Sequence, residues 1–244
     1  MKILKLGQMI GGSNAPSGAG FPNLYSLDFD GTNDYVDFGD ENDFSINESG
    51  ANRGFSISVW VKTSGNSDTI ISKSQVAATT AEYQLEVGRD NKLTFWVYSS
   101  GNAANYQYLR VDSPIVGDGN WHHVVGTFNL ADATTSLSVY IDGVKYVAAD
   151  AATSYGASGT WVAANNTTAP LEMGRLGNGS NYFGGNIDEF SMFDAELNAA
   201  AVTSYYNSGT PTDLSGEAYL VGYWRNGDTA GTSVYPTIED YSSN

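Results

Sequence analysis

The chain has 244 residues, 27 acidic against 11 basic side chains, a formal charge of −16 and no cysteine. Its length suits one large β-rich domain as well as two small ones, and suffices to bury a core without disulfide or metal staples. The missing cysteines exclude a disulfide scaffold, a thiolate metal site and a cysteine nucleophile; the acidity opposes nucleic acid or anionic membrane as partners; and the two histidines, adjacent at His122 and His123, cannot alone build a three-histidine zinc site.

The first ten residues carry early positive charge, but Lys5 interrupts an apolar run already shorter than the about 7–15 residues of a secretory signal. No stretch approaches the roughly 20 apolar residues of a membrane span, so the chain reads as soluble, with no signal peptide, transmembrane segment or membrane insertion. Residues 1–22 run into Gly11-Gly12-Ser13-Asn14-Ala15-Pro16-Ser17-Gly18, a composition of arms and linkers. Such a segment is either a tail or an arm that orders on a neighbouring subunit.

From Tyr25 onward the pattern has period two. Phe55, Ile57, Val59 and Val61 alternate with Ser56, Ser58, Trp60 and Lys62; Tyr83, Leu85 and Val87 with Gln84 and Glu86; Leu93, Phe95 and Val97 with Thr94, Trp96 and Tyr98; Leu137, Val139 and Ile141 with Ser138 and Tyr140. Alternation of this kind turns one side of each strand to a core and the other to solvent or a second layer. Arg89-Asp90-Asn91 and Asp142-Gly143 supply turns, the latter a two-residue hairpin. One helix is predicted, Ala199 to Tyr206, capped by Asn198 and closed by Gly209 and Pro211, and Tyr219 to Trp224 reads as a last strand. Many short strands and one late helix, with no period-20-to-50 repeat, predict a single jelly-roll β-sandwich over 23–224, with an arm at 1–22 and an extension at 225–244. The extension either helps complete a sheet or begins a further module.

Four segments carry a family resemblance. They are Leu27-Asp28-Phe29-Asp30-Gly31-Thr32-Asn33-Asp34-Tyr35-Val36 with the strand from Phe55 to Val61; Asp118-Gly119-Asn120-Trp121-His122-His123-Val124-Val125; Leu137-Ser138-Val139-Tyr140-Ile141-Asp142-Gly143; and Phe183-Gly184-Gly185-Asn186-Ile187-Asp188-Glu189-Phe190. In this order and spacing, between Tyr25 and Gly209, they resemble the laminin-G-like (LamG) branch of the concanavalin A-like lectin/glucanase superfamily. The resemblance implies an all-β fold: a concanavalin A-like jelly-roll β-sandwich of two antiparallel sheets with one short helix on its C-terminal side.

Glucanases share that fold, and retaining hydrolysis needs two carboxylates about 5–5.5 Å apart. Asp188 and Glu189 are neighbours, which a regular strand turns to opposite faces, and Glu82 and Glu86 flank Gln84 where the glucanase pattern needs an acid. No Gly-x-Ser-x-Gly elbow or phosphate-binding glycine loop is present, so no catalytic residues are assigned. The family often holds a structural cation between the early turn and the late Ile-Asp-Glu strand. Carried over, this implies Ca2+ at Asp30 and Asp188, with Gly31 and Asp34 adding oxygens. The alternative is a plain turn at Asp30-Gly31 and an Asp188 bonded to backbone amides.

Sugars are held by aromatic faces with polar groups around their hydroxyls. The candidates are Trp96 and Tyr98 on the polar side of their strand, Tyr106 and Tyr108, and the loop aromatics Trp161 and Tyr182. For Trp96 and Tyr98 the alternative is burial between the sheets or under a loop; Trp161 and Tyr182 are expected at the surface. Exposed aromatics equally suit a protein interface. The sequence thus predicts a non-catalytic, surface-displayed recognition or adhesion module for glycan or protein ligands, displayed on a virion or another extracellular assembly. In the phage case it decorates a head or fibre, and residues 1–22 are its contact to neighbours. The alternatives are a purely structural assembly protein without a ligand and a glycoside hydrolase of the glucanase branch.

Overall fold

The structure is a computed structural model that describes residues 5–8, 23, 25–46, 54–66, 68–75, 81–100, 105–129, 137–177 and 179–226. In chain order its strands are β1 (Lys5–Gln8), β2 (Tyr25–Asp30), β3 (Val36–Gly39), β4 (Gly54–Thr63), β5 (Asp68–Lys73), β6 (Tyr83–Val87), β7 (Leu93–Tyr98) and β8 (Tyr106–Val111). They continue as β9 (Trp121–Asn129), β10 (Leu137–Ile141), β11 (Val144–Val147), β12 (Thr153–Ser158), β13 (Leu171–Met173) and β14 (Gly184–Phe193), then helix α1 (Ala199–Tyr206) and β15 (Leu220–Trp224). Two antiparallel sheets result, the jelly-roll sandwich that the alternation predicts. One has the order β1-β2-β14-β4-β9-β10-β11 with β15 also on β14; the other runs β12-β8-β7-β6-β5-β13-β3.

The apolar members of each alternating strand meet between the sheets. Phe55, Ile57, Val59 and Val61 of β4 face Leu85, Leu93, Phe95, Val97 and Leu109 of the second sheet in one buried core. Asp142 and Gly143 both take positive φ, 52° and 79°, which the tight β10–β11 hairpin requires and which an Asp-Gly pair tolerates.

The polar side of β4 does not reach water from Ser56 to Trp60. Ser56 Oγ donates to the Ala195 carbonyl at 2.7 Å and accepts from Leu197 N, and Trp60 stacks on Tyr206 of α1. A third layer, α1 and the chain after it, packs Val202, Tyr205 and Leu214 on Val125, Tyr140 and Phe193 of the outer sheet face. Asn198 caps α1, its side chain accepting from Ala201 N at 3.0 Å; left-handed Asn207, rather than Gly209, ends it.

The start of the chain departs from the expected boundary, and the late strand keeps to it. Part of the expected arm, Lys5–Gln8, is a strand, with Leu6 in register with Leu27 of β2. On the other side, β15 pairs with β14, Phe190 opposite Trp224, so the late chain helps complete the first sheet. The rest of the arm, and the extension from 227 on, lie outside the described residues. Among the described residues no helix is long and apolar enough to cross a membrane.

Candidate functional site

On the second sheet, pairing brings the sequence-selected aromatics of two strands together. Trp96 lies opposite Tyr108 and Tyr98 opposite Tyr106 on β7 and β8. Because Phe95, Val97, Leu109 and Val111 fill the core, the strand period turns all four aromatics to the outer face. They are half-buried, which decides against burial between the sheets. Ring centroids are 4.5 Å apart for Trp96 and Tyr108, 5.4 Å for Trp96 and Tyr106, and 6.2 Å for Tyr98 and Tyr106. Gly156 of β12 makes room: a Cβ there would meet the Tyr108 ring at 2.3 Å.

Polar groups that the sequence reading did not select frame the rings. Glu86 accepts from Trp96 Nε1 at 2.9 Å and from the Gln84 amide, and so orients the indole. Burial pushes the Glu86 carboxyl up, against those two hydrogen bonds, and burial followed by Glu86 and Tyr106 raises the Tyr98 hydroxyl. Arg110, on the far side of Tyr108, donates to Asp112 at 2.9 Å and to Ser154 Oγ at 3.3 Å. Beyond β6 the face is closed: Ser72 and Glu172 are 0% and 1% exposed. There Ser72 Oγ donates to the Arg175 carbonyl, and the Arg175 guanidinium pairs with Glu172 and lies 3.3 Å from the Tyr35 ring centre. The open face therefore spans β6, β7, β8 and β12. It combines aromatic rings, a carboxylate, an amide and a guanidinium.

The two loop aromatics lie elsewhere. Trp161 is not a free surface ring: it packs on Phe128 at 5.3 Å and against the core, lining a small pocket at the sheet edge with Tyr106 and Tyr155. Tyr182, half-buried, lines a different pocket between the β2–β3 turn and the start of β14.

The residues carried over for calcium do not form one site. Asp30 pairs with Gly184, so Asp188 lies four residues further along β14, roughly 13 Å away at ~3.3 Å per residue. Asp30 Oδ1 accepts from Thr32 N and Asn33 N, Asp34 Oδ2 accepts from Asp30 N, and Gly31 N donates to Phe183 O. Asp188 is 0% exposed, its Oδ1 accepting from Glu189 N. These four residues do not fit a single bound cation. Among the described residues no cluster of three or more His, Cys, Asp or Glu side chains suits a metal.

The acidic pairs weighed for hydrolysis are also placed. Glu189 takes φ 49° at a register break of β14, so strict alternation does not separate it from Asp188. What removes the pair is burial: Glu189 is 2% exposed and held by Asn23, Tyr223 and Arg225. Glu82 is 0% exposed and pairs with Lys73 at 3.2 Å, while Glu86 belongs to the aromatic face.

Two packed antiparallel sheets of this order define the class of jelly-roll β-sandwiches. The chain belongs to the concanavalin A-like lectin/glucanases superfamily, whose Laminin_G_3 family matches residues 30–203. The fold is similar to the CBM40 of a Ruminococcus gnavus IT-sialidase bound to alpha2,3 sialyllactose, with 10% identity over 74% of this chain and 96% of that one, at a TM-score of 0.56. It is also similar to domain 4 of AbnA, a GH43 extracellular arabinanase of Geobacillus stearothermophilus in complex with arabinotriose, with 17% identity, 84% and 81% coverage and a TM-score of 0.51. A third similar structure, the binding domain of Paraclostridial Mosquitocidal Protein 1, shares 13% identity over 84% of this chain at a TM-score of 0.53; the chain spans 47% of its length. At these identities the likeness is one of fold. Among curated proteins no sequence matches this chain.

Proposed function

We propose that the chain is a non-catalytic recognition module that binds a glycan on the Trp96–Tyr98–Tyr106–Tyr108 face. The observation that carries this reading is the continuity of the four rings on one outward sheet face, with Gln84, Glu86 and Arg110 around them. Sugar rings stack their C–H faces on such surfaces and hydrogen-bond through their edges, and ligand sites in general combine apolar area with a few placed polar groups. The fold-similar sialidase and arabinanase domains hold glycans, which supports the same ligand class. The formal charge of −16 weighs against nucleic acid. The test is a glycan and polysaccharide array on the whole chain beside Trp96→Ala and Tyr108→Ala. Reproducible hits lost in both variants, with melting temperature retained, are expected; a blank array with folded wild-type protein rejects the reading.

A second reading, assembly through the N-terminal arm as in a virion or surface array, is favoured by β1. Its pairing to β2 spans four residues of a sheet edge, Lys5↔Asp28 to Gln8↔Tyr25, and a second copy offers the same edge. Because the chain has no cysteine, Leu6→Cys with Leu27→Cys reads the pairing directly. Disulfide-linked dimers or ladders on non-reducing gels support strand exchange; a wholly intramolecular bond at every concentration rejects it.

A further inference from the structure

The pocket beside Tyr182 has a chemistry of its own and shares no lining residue with the aromatic face. Its floor is Asp68, 8% exposed. One oxygen, Oδ2, accepts from Thr63 Oγ1 at 3.0 Å and Gly184 N at 3.4 Å; among the described residues Oδ1 makes no hydrogen bond. Desolvation by burial raises this carboxyl despite those donors. Glycine keeps the approach open, since a Cβ at Gly65 would fall 1.7 Å from Asp68 Oδ2.

We propose that this pocket is a second carbohydrate site, taking a single uncharged pyranose at the end of a glycan. A carboxylate only accepts, so the ligand must bring a donor to Asp68. Lys62, on the opposite wall, brings an ammonium that forms no ion pair among the described residues, and it requires an acceptor. A hydroxyl is both donor and acceptor, and adjacent hydroxyls on one ring serve both residues. Asn186 stands at the same wall, its amide donating to Ser26 Oγ at 3.3 Å. Tyr182 lines the same pocket, and its ring supplies an apolar side for a sugar's C–H face. Negative charge on the ligand is disfavoured, since an acidic sugar meets two carboxylates, Asp68 and rim Asp30, against the one ammonium of Lys62.

The experiment is saturation-transfer NMR on the whole chain with the methyl glycosides of glucose, galactose, mannose and N-acetylglucosamine, with N-acetylneuraminic acid as the charged probe. At least one neutral glycoside should bind the wild type and Trp96→Ala alike. Asp68→Asn, which keeps an acceptor for Thr63, and Tyr182→Ala should each weaken that binding about tenfold or more, the effect of a lost charged hydrogen bond or stacking contact. If Asp68→Asn fails to fold, Tyr182→Ala and Lys62→Ala decide. No binding of any neutral glycoside, preference for N-acetylneuraminic acid, or wild-type binding in the folded variants each overturns the proposal. Loss of array binding in Trp96→Ala with monosaccharide binding intact separates this site from the aromatic face.

Discussion

At the start of β9, Asp142 Oδ2 lies 2.7 Å from His122 Nδ1 and Asp118 Oδ1 lies 3.1 Å from its Nε2. The Asp142 hydrogen bond, opposed by burial, raises the His122 pKa. Its stabilisation is complete below the unfolded value of about 6.5 and is lost as pH rises through the higher folded value. His123, 1% exposed under α1, has the opposite sign: burial lowers its pKa to about 4. Between pH ~6.5 and ~4 the unfolded chain takes up a proton that the folded one refuses, a loss on the order of 3 kcal/mol. Urea unfolding from pH 4 to 8.5 should therefore show His122→Gln flattening the alkaline limb of the stability curve and His123→Gln the acid limb; unchanged limbs would contradict the two assignments. Packing is as local. The Phe95 ring, 0% exposed, lies 2.8 Å from where a Gly126 Cβ would sit. Phe95→Ala should cost about 3–5 kcal/mol by the same measurement.

Among the elements, α1 was legible because its signals are local: a capping asparagine, small residues and a closing turn. Asn198→Ala should lower stability by about 1 kcal/mol and raise amide exchange in the first turn of α1, since the Ala201 amide loses its acceptor. β4, β6, β7 and β10 were legible from period two for the same reason, whereas β1, too short to alternate visibly beside a glycine-rich run, was read as an arm. Strand neighbours were not, since alternation names the faces of a strand but not what lies beside it. That is why Trp96, Tyr98, Tyr106 and Tyr108 could be selected singly, while the Glu86 bond to the Trp96 indole appears only with the β6–β7 pairing. Asp188 and Glu189 show the limit of the period itself. A non-glycine residue takes φ 49° at Glu189, and nothing in the local sequence marks the break.

For the whole molecule, a charge of −16 on one sandwich implies self-repulsion that salt screens. The melting temperature should rise between about 10 mM and about 500 mM NaCl; a fall would mean that attractive pairs such as Lys73–Asp40 outweigh the net charge. The two-layer architecture was readable from the sequence, but the third layer was not, because Ser56, Ser58 and Trp60 look like a solvent face until α1 and the following chain cover them. One edge of β14 is shared: β2 pairs along Gly184 to Ile187, and β15 along Phe190 to Phe193. An early strand and a late one thus meet on the same neighbour, and during synthesis half of that edge has no partner until residues 220–224 have left the ribosome. The first sheet is consequently complete only once residues 220–224 have emerged, and its long-range pairings place refolding on the slow, millisecond-to-second side of single-domain kinetics.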